Sequence, residues 1–314
     1  MSSAAPRERA TAFAPASVGN VAIGFDILGF SVETLGDRVT VTRRAAPGVA
    51  ITAVTGVAGQ LPREPRDNTA GRALLAMQEA LQPAFGFVLE IEKGIPLGSG
   101  LGGSAASAVG AVVAANALLE APRSLPELLK FAMAGEAVAS GARHVDNIAA
   151  SLYGGLVLTV GIDEPRVKQI PVPAGIRAII VHPHMFLATS EARAILKPSI
   201  EMSEFVWQTA HLAGFISGCY TGDVDMIRVS LEDVVIEPQR QALIPRFQEV
   251  RRAALQAGAL GCSISGAGPS MFAWSLEAGA EGVLGAMRRE FQSRGLTTDG
   301  WVVEIRNRGA QVIG

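Results

Sequence analysis

Alternation of apolar and polar residues is the clearest feature of the first 95 positions, and it predicts β-strands. Val39 and Val41 alternate with Thr40 and Thr42, and the segment 86–92 alternates in the same way. Because successive strand residues point to opposite faces, this pattern indicates a sheet with one face in water, which is typical of antiparallel or mixed sheets. The strands predicted here lie near residues 11–14, 38–43, 49–54 and 86–92.

Helical patterns are interleaved with these strands. Helices are predicted at 68–81, 103–119, 124–140 and 146–152, and Ser124 and Glu127 form a capping box at the third of them. A strand is predicted at 154–160, and the proline-rich segment 162–175 predicts a linker. We therefore expect two domains, at 1–165 and 166–314.

The order of elements after residue 175 predicts a ferredoxin-like domain. Strands are predicted at 176–181, 262–265, 271–274 and 301–306, and helices at 189–195, 203–220, 224–230, 239–257 and 278–294. Once the additional helices are set aside, the order is βαββαβ, which builds an antiparallel sheet with helices on one face. The predicted fold class of the whole chain is therefore α+β.

Composition and charge narrow the class of partner. The 314 residues carry a net charge of −2 with 27 basic residues and no basic run, so the sequence argues against a nucleic-acid partner. The two cysteines, Cys219 and Cys262, are too few for a disulfide framework. The N-terminus lacks a secretory apolar region, and the apolar segment 105–119 is too short to span a bilayer. We expect a cytoplasmic protein with no membrane partner.

The glycine-rich stretch KGIPLGSGLGGSAAS, residues 93–107, is the strongest chemical signal. Gly98, Gly100 and Gly103 match the dinucleotide pattern GxGxxG, but five residues separate the preceding strand from the first of these glycines, which argues against a nicotinamide site. A Walker-type phosphate loop needs a lysine before Ser104, and none is present. Clustered backbone N–H groups before a helix N-terminus nevertheless favour an anion site. The alternative is a turn that only permits close packing of the alanine-rich helix.

Three motifs in order resemble the GHMP kinase superfamily. PLGSGLGGSAAS (96–107) resembles its second motif, with Gly103 where a serine usually stands. APASVGNVAIGFDILGFSVE (14–33) is similar to the first motif of the homoserine kinase family in particular, and GCSISGAGPSMFAW (261–274) resembles the C-terminal glycine motif. Similar stretches at 136–147, 188–193 and 232–240 extend the resemblance over nearly the whole chain.

The resemblance implies an architecture and an activity. The N-terminal domain is expected to be a mixed sheet with helices, like ribosomal protein S5, and the C-terminal domain to be ferredoxin-like. The implied reaction is ATP-dependent phosphorylation of the side-chain hydroxyl of L-homoserine, a step of threonine biosynthesis, with Mg²⁺ as cofactor. A homodimer is also implied as possible. The rival hypotheses are another GHMP kinase for a sugar or mevalonate-type alcohol, a non-catalytic nucleotide-binding protein and an NAD-dependent oxidoreductase.

The resemblance also implies the residues of the nucleotide site. Ser104 and Glu136 are expected to hold Mg²⁺, although a solvated helix residue is the alternative for Glu136. Asn68 and Lys93 are expected to contact the nucleotide, with a helix cap or a surface charge as alternatives. The residues expected to surround the phosphates are Pro96, Leu97, Gly98, Ser99, Gly100, Leu101, Gly102, Gly103, Ser104, Ala105 and Ala106.

The implied substrate carries an ammonium and a carboxylate, so its pocket should present both charges. Asp26 lies in an apolar segment, where an unpaired charge is costly, and is the expected ammonium partner. Arg193 and Arg240 are expected to bind the carboxylate, with surface salt bridges as the alternative. The remaining substrate contacts expected are Asn20, His144, Thr189 and Gly266. The expected catalytic residues are Glu136, Asp146, Asn147 and Arg193, with a helix-capping role left open for Asp146 and Asn147.

Overall fold

Two β-sheets organise the chain. The computed structural model describes residues 7–58, 60–140, 145–161 and 163–314, and for 137–140 it describes the backbone. The strands are β1 (Arg9–Gly19), β2 (Leu28–Arg44), β3 (Val49–Gly56), β4 (Gly86–Lys93), β5 (Leu156–Val160), β6 (Arg166–Ile170), β7 (Ile176–Pro183), β8 (Ala259–Ile264), β9 (Met271–Leu276), β10 (Thr298–Val303) and β11 (Gln311–Val312).

The helices cover the sheets and fill the space around them. They are α1 (Thr69–Leu81), α2 (Gly103–Asn116), α3 (Leu125–Ser140), α4 (Val145–Tyr153), α5 (Thr189–Ala194), α6 (Met202–Thr221), α7 (Val224–Ser230), α8 (Glu237–Arg240), α9 (Phe247–Gln256) and α10 (Ala280–Gln292). Among the described residues, no helix combines the length and the apolar character needed to cross a membrane.

The first sheet is mixed, as the alternation predicts. Its main path runs β11-β1-β2-β4-β3, and β5 joins β2 and β6. The β3–β4 pair is parallel, and the other pairs are antiparallel. Helix α2 lies against β1 and β2, and an added methyl group at Gly110 would come within 2.8 Å of Val39. Small residues in α2 therefore let its backbone approach the sheet closely, and all its residues from Ala105 to Ala115 are buried.

The second sheet has the order β10-β7-β9-β8, and every neighbouring pair is antiparallel. With β7 as the first strand this is the order 4-1-3-2 of a ferredoxin-like βαββαβ unit, so the predicted fold class is confirmed. Helices α9 and α10 pack on one side of it. The rings of Phe272 and Trp274 in β9 contact Phe30 of β2 edge-on, at centroid distances of 5.7 and 6.1 Å. These aromatic contacts join the two sheets.

Two predicted elements are wrong in detail. The linker predicted at 162–175 contains β6, which pairs with β5 and so places 166–170 in the first sheet. The helix predicted at 239–257 is interrupted before α9. Pro245 explains the interruption, because proline disfavours a helical conformation at the preceding residue, and Ile244 is extended at φ −113° and ψ 114°.

Candidate active site

A cleft opens where the first sheet's glycine loop faces the second domain. It brings together almost all the residues that the sequence indicates. The predicted residues that line it are Asn20, Asp26, Pro96, Leu97, Gly98, Ser99, Gly100, Leu101, Gly102, Gly103, Ser104, Ala105, Glu136, Asp146, Asn147, Thr189, Arg193, Arg240 and Gly266.

The glycine loop adopts a conformation that requires glycine. Gly98, Gly100 and Gly102 have φ values of 59°, 76° and 67°, in the left-handed region that other L-residues rarely adopt. Helix α2 then begins at Gly103, so its first backbone N–H groups lack intrahelical partners and lie at the cleft, together with exposed Ser104. A helix N-terminus carries partial positive charge, so this wall of the cleft is suited to an anion.

The second domain holds the loop from its other side. The backbone N–H groups of Leu187 and Ser270 donate to the carbonyl oxygens of Gly98 and Ser99, at 3.1 and 3.2 Å. The Ser265 hydroxyl donates to Gly100 O at 2.7 Å. These bonds satisfy three carbonyls of the loop, so both domains contribute to the loop's conformation.

Lys93, an expected nucleotide contact, does not line the cleft. Its side chain is 1% exposed and its ammonium group forms an ion pair with Asp37. The same ammonium donates to Gly103 O at 2.7 Å and to the Ser107 hydroxyl at 2.9 Å. Asp37 in turn accepts the N–H groups of Gly94 and Ile95. Lys93 therefore ties β2, β4 and α2 together beneath the loop.

Two other expected nucleotide residues lie away from the cleft wall. Asn68 is buried and caps α1, with its Oδ1 accepting the N–H groups of Ala70 and Gly71 at 3.0 and 3.3 Å. Ala106 is fully buried in α2. The helix-cap alternative is thus the observed one for Asn68. His144 lies outside the described residues.

The first motif forms a left-handed turn at the cleft. Asn20, Val21 and Ala22 have φ values of 69°, 44° and 60°, and Asp26 has 61°. Such values are uncommon for residues other than glycine, and they persist only where surrounding contacts hold them. Asn20 supplies these contacts, because its Oδ1 accepts the Asp26 N–H at 3.0 Å and its Nδ2 donates to Gly266 O at 2.8 Å.

Asp146 and Asn147 in the first turn of α4 support this turn. The Asn20 N–H donates to Asp146 Oδ2 at 3.0 Å, and Asn147 Nδ2 donates to Asp146 Oδ1 at 3.2 Å. The Ser17 hydroxyl donates to Asn147 Oδ1 at 2.9 Å. Ser17 is a residue of the first motif that the sequence reasoning did not select, and its only sequence signal is its place before Asn20.

The charged side chains of the cleft form a second group. Arg193 donates to both carboxylate oxygens of Asp26, with Nη1–Oδ2 and Nη2–Oδ1 distances of 2.8 and 2.9 Å. Arg240 is buried and donates from Nε to Ala192 O at 2.9 Å. Burial, followed by the nearby Arg193 charge, lowers the pKa of Arg240 to about 10, so it remains a cation at neutral pH.

Phe25, which the sequence reasoning did not select, packs against two arginines of the cleft. The guanidinium carbons of Arg193 and Arg240 lie 5.0 and 5.1 Å from the centroid of its ring. Both distances fall within the range of cation–π attraction. One aromatic ring therefore helps to position two cations, and its adjacency to Asp26 was the available sequence signal.

Comparison with known proteins agrees with this geometry. The family descriptions "GHMP kinases N terminal domain" and "GHMP kinases C terminal" match residues 68–155 and 215–293. A homoserine kinase of Xylella fastidiosa is 48% identical over 97% of this chain and 94% of its own length. The chain belongs to the GHMP kinase family. It is an enzyme of the kinase class.

Two further comparisons place the chain among the homoserine kinases of the GHMP kinase family. A homoserine kinase of Chloroherpeton thalassium is 41% identical over 98% of this chain and 100% of its own length. The crystal structure of homoserine kinase from Cytophaga hutchinsonii superimposes with a TM-score of 0.96, at 42% identity over 100% of both chains. These similarities to homoserine kinases rule out the rival hypothesis of an NAD-dependent oxidoreductase.

Proposed function

We propose that the protein transfers the γ-phosphoryl group of ATP to the side-chain hydroxyl of L-homoserine, giving ADP and O-phospho-L-homoserine, a precursor of threonine. The observation that carries this proposal is the pairing of two surfaces in one cleft. One is the glycine loop with the N-terminus of α2, and the other is the charged group of Asp26, Arg193 and Arg240. The first suits a polyphosphate, and the second suits a small zwitterion.

The substrate is proposed to lie with its charges on the charged group. Its ammonium would pair with Asp26, and its carboxylate with Arg193 or Arg240, since guanidinium binds carboxylate through two parallel hydrogen bonds. Thr189 and Gly266 line the same cleft and offer hydrogen-bonding groups. Fixing both ends of a short molecule orients its hydroxyl, and such positioning can supply a large part of the rate enhancement.

A magnesium ion fits the donor set of the cleft. The hydroxyl of Ser104 and the carboxylate of Glu136 line it together, and Mg²⁺ binds oxygen ligands while keeping several waters. When bound, the ion would neutralise charge on the phosphate oxygens. The protein's own contribution on that side is the set of N–H groups at the start of α2.

Asp146 and Asn147 are proposed to act by positioning. Asp146 is 1% exposed and already accepts hydrogen bonds from Asn20 and Asn147, so its carboxylate holds the left-handed turn that carries Asp26. Phosphoryl transfer through a loose transition state depends mainly on orientation and charge neutralisation. We therefore assign no general base.

Three further expectations remain proposals beside this one. They are a cytoplasmic location, the use of Mg²⁺ and a homodimeric state. The first rests on the sequence composition, the second on the Ser104 and Glu136 donors, and the third on the family resemblance.

The reaction is tested by measuring ADP release with ATP and Mg²⁺ in the presence of homoserine, mevalonate, galactose or no acceptor. We expect release that depends on homoserine. Asp26→Ala should damage mainly the use of homoserine, and Ser104→Ala should mainly lower the metal-dependent rate. ADP release that is the same with and without homoserine would overturn the proposal, and turnover of mevalonate or galactose instead would favour another acceptor.

A further inference from the structure

The segment 232–240 carries charged residues that the proposed reaction does not use. Arg240 lines the cleft, whereas Asp233 and Glu237 do not. Both carboxylates are nevertheless buried, at 7% and 8% exposure. A buried carboxylate is costly unless its oxygens accept hydrogen bonds, so the contacts of Asp233 indicate what holds it there.

Asp233 accepts three backbone hydrogen bonds at the start of α8. Its Oδ1 accepts the N–H groups of Val235 and Ile236, both at 2.9 Å, and its Oδ2 accepts the N–H of Glu237 at 2.9 Å. Backbone N–H groups at the beginning of a helix lack intrahelical acceptors. Hydrogen bonds to an ionised acceptor are also stronger than neutral ones. Asp233 therefore fixes the place and the direction in which α8 begins.

The helix that Asp233 holds is one turn long and ends at Arg240. Within it the Arg240 N–H donates to Ile236 O at 3.1 Å, and Pro238 lies in the first turn. A single helical turn is unfavourable by itself, because several dihedral angles are fixed for one hydrogen bond. The backbone position of Arg240 thus depends on the contacts that hold the start of the turn.

The guanidinium of Arg240 is placed before any substrate binds. Its Nε donates to Ala192 O at 2.9 Å and its Nη1 to Gly266 O at 3.2 Å. These acceptors are neutral carbonyl oxygens, whereas Arg193 is paired with the Asp26 carboxylate. Arg240 is therefore the cation better prepared to receive a carboxylate in the free protein.

Asp233 and Arg240 are also neighbours in space. Both line a small cavity that shares Arg240 with the cleft. Burial and the Arg193 charge lower the pKa of Arg240, and the carboxylates of Asp26 and Asp233 oppose this effect. Asp233 thus favours a cation at this place through its charge as well as through the helix.

We propose, on the basis of the function proposed above, that Asp233 is a positioning residue for the substrate carboxylate, because it holds α8 and so places the Arg240 guanidinium at the cleft. Its three hydrogen bonds go to the backbone, and its side chain does not line the cleft. A change at Asp233 therefore reaches the substrate through Arg240. A displacement of about 1 Å in such a group can cost about 100-fold in rate.

The first test is kinetic. Asp233→Asn keeps the shape of the side chain and removes its charge and one acceptor oxygen. We expect kcat/KM for homoserine to fall at least about tenfold, mainly through a higher KM, because the carboxylate site is displaced. KM for ATP should stay unchanged, and so should kcat/KM for 3-amino-1-propanol, which is homoserine without its carboxylate.

The matched control is Asp223→Asn. Asp223 is exposed and caps α7, where its Oδ1 accepts the Met226 N–H at 2.9 Å. It is thus a helix-capping aspartate that leads to no residue of the cleft. All three kinetic values should match those of the wild type in this variant.

The second test follows Arg240 without any reaction. In protein labelled with nitrogen-15 at arginine, the Nε–H signal of Arg240 is assigned by its loss in Arg240→Lys. This group is buried and donates to Ala192 O, so it should exchange slowly with solvent. Asp233→Asn should raise the exchange rate at least about tenfold, and Asp223→Asn should not change it.

The two tests separate the placement of Arg240 from the identity of the substrate. A wild type without homoserine-dependent ADP release would overturn the proposed function, and the exchange rate would still decide whether Asp233 places Arg240. Unchanged KM and unchanged exchange in Asp233→Asn would overturn the positioning role.

A general effect on the fold would also overturn it. Equal losses with homoserine and 3-amino-1-propanol, or a higher KM for ATP, would show that Asp233 supports the whole domain. If Asp233→Asn does not fold, Asp233→Ser, which keeps one oxygen acceptor at the start of α8, takes its place in both tests. Failure of both variants to fold would assign Asp233 a purely structural role.

Discussion

Asp26 and Arg193, 167 positions apart in the chain, form a doubly hydrogen-bonded ion pair at the mouth of the cleft. The two groups proposed for opposite ends of the substrate thus hold each other in the free protein. A zwitterion can replace this ion pair by two new ones, between its ammonium and Asp26 and between its carboxylate and Arg193. A ligand with a single charge would leave either Asp26 or Arg193 without an oppositely charged partner. The pair is therefore a selectivity element as well as a binding element.

This relationship predicts a change of selectivity. Asp26→Asn should lower kcat/KM for homoserine about 100-fold, because the ammonium loses its partner and each 1.4 kcal/mol is worth about tenfold. For 4-hydroxybutyrate, which lacks the ammonium, kcat/KM should change only a few-fold, because the substitution also frees Arg193 for the carboxylate. Steady-state kinetics with both acceptors measure the ratio.

The matched control is Asp225→Asn, which removes the same charge from an exposed surface pair with Arg228 at 3.8 Å. It should leave both acceptors unaffected, since exposed pairs contribute little. An equal loss with both acceptors in Asp26→Asn would show that Asp26 acts on the fold of the turn and not on the ammonium.

The glycine loop was predictable because its determinants are local. Gly98, Gly100 and Gly102 mark positive φ values, and the small residues that follow mark a helix packed closely on a sheet. The ordered motifs also predicted that residues distant in sequence, such as Asn20 and Arg240, contribute to one site. Local backbone chemistry and ordered motifs thus predicted most of the cleft wall.

The remaining features depend on contacts between distant segments. The sequence is equally compatible with a nucleotide-binding and a structural role for Lys93 and Asn68. The structure shows their partners, which are Asp37 for Lys93 and the backbone of α1 for Asn68. Strand β6 carries a largely polar sequence and becomes a strand only by pairing with β5. The ion pair between Asp26 and Arg193 was likewise not predicted from the sequence, because the sequence analysis assigned both residues to the substrate.

The buried Lys93–Asp37 pair predicts a stability effect. Lys93→Met should lower the free energy of unfolding by about 3–5 kcal/mol, because it leaves the Asp37 carboxylate buried without its cation. Chemical denaturation followed by circular dichroism measures the loss. Lys130→Met, which removes the cation of an exposed pair with Glu164, should cost about 1 kcal/mol or less. A Lys93→Met protein with unchanged stability and weakened ATP binding would instead favour the nucleotide-contact hypothesis.

Gly100 predicts a steric effect at the domain junction. An added Cβ would lie 2.5 Å from Ser265 O and 2.6 Å from Gly268 O, and φ is 76°. Gly100→Ala should therefore displace the loop, lower the melting temperature and raise KM for ATP. Gly282→Ala is the control, because a Cβ there meets nothing within 4 Å, and alanine favours a helix by about 1 kcal/mol over glycine. Equal melting temperatures for the two variants would contradict this prediction.

Glu237 predicts a pH dependence of stability. Burial raises its pKa to about 7, although the Ser263 hydroxyl donates to its carboxylate and Arg251 lies 3.4 Å away. Between pH 4.5 and 7 the folded protein binds a proton that the unfolded chain releases, so stability falls as the pH rises through this window. At about 1.4 kcal/mol per pH unit, the loss is on the order of 3 kcal/mol.

Glu237→Gln should remove this loss, because glutamine stays neutral. Melting temperatures of the two proteins should therefore be similar near pH 5, and at pH 8 the variant should melt higher by about 5 °C or more. The exposed Glu281→Gln variant should follow the wild type at both pH values. A variant that melts below the wild type at pH 8 would mean that the ionised carboxylate stabilises the fold through Ser263 and Arg251, and that burial does not dominate.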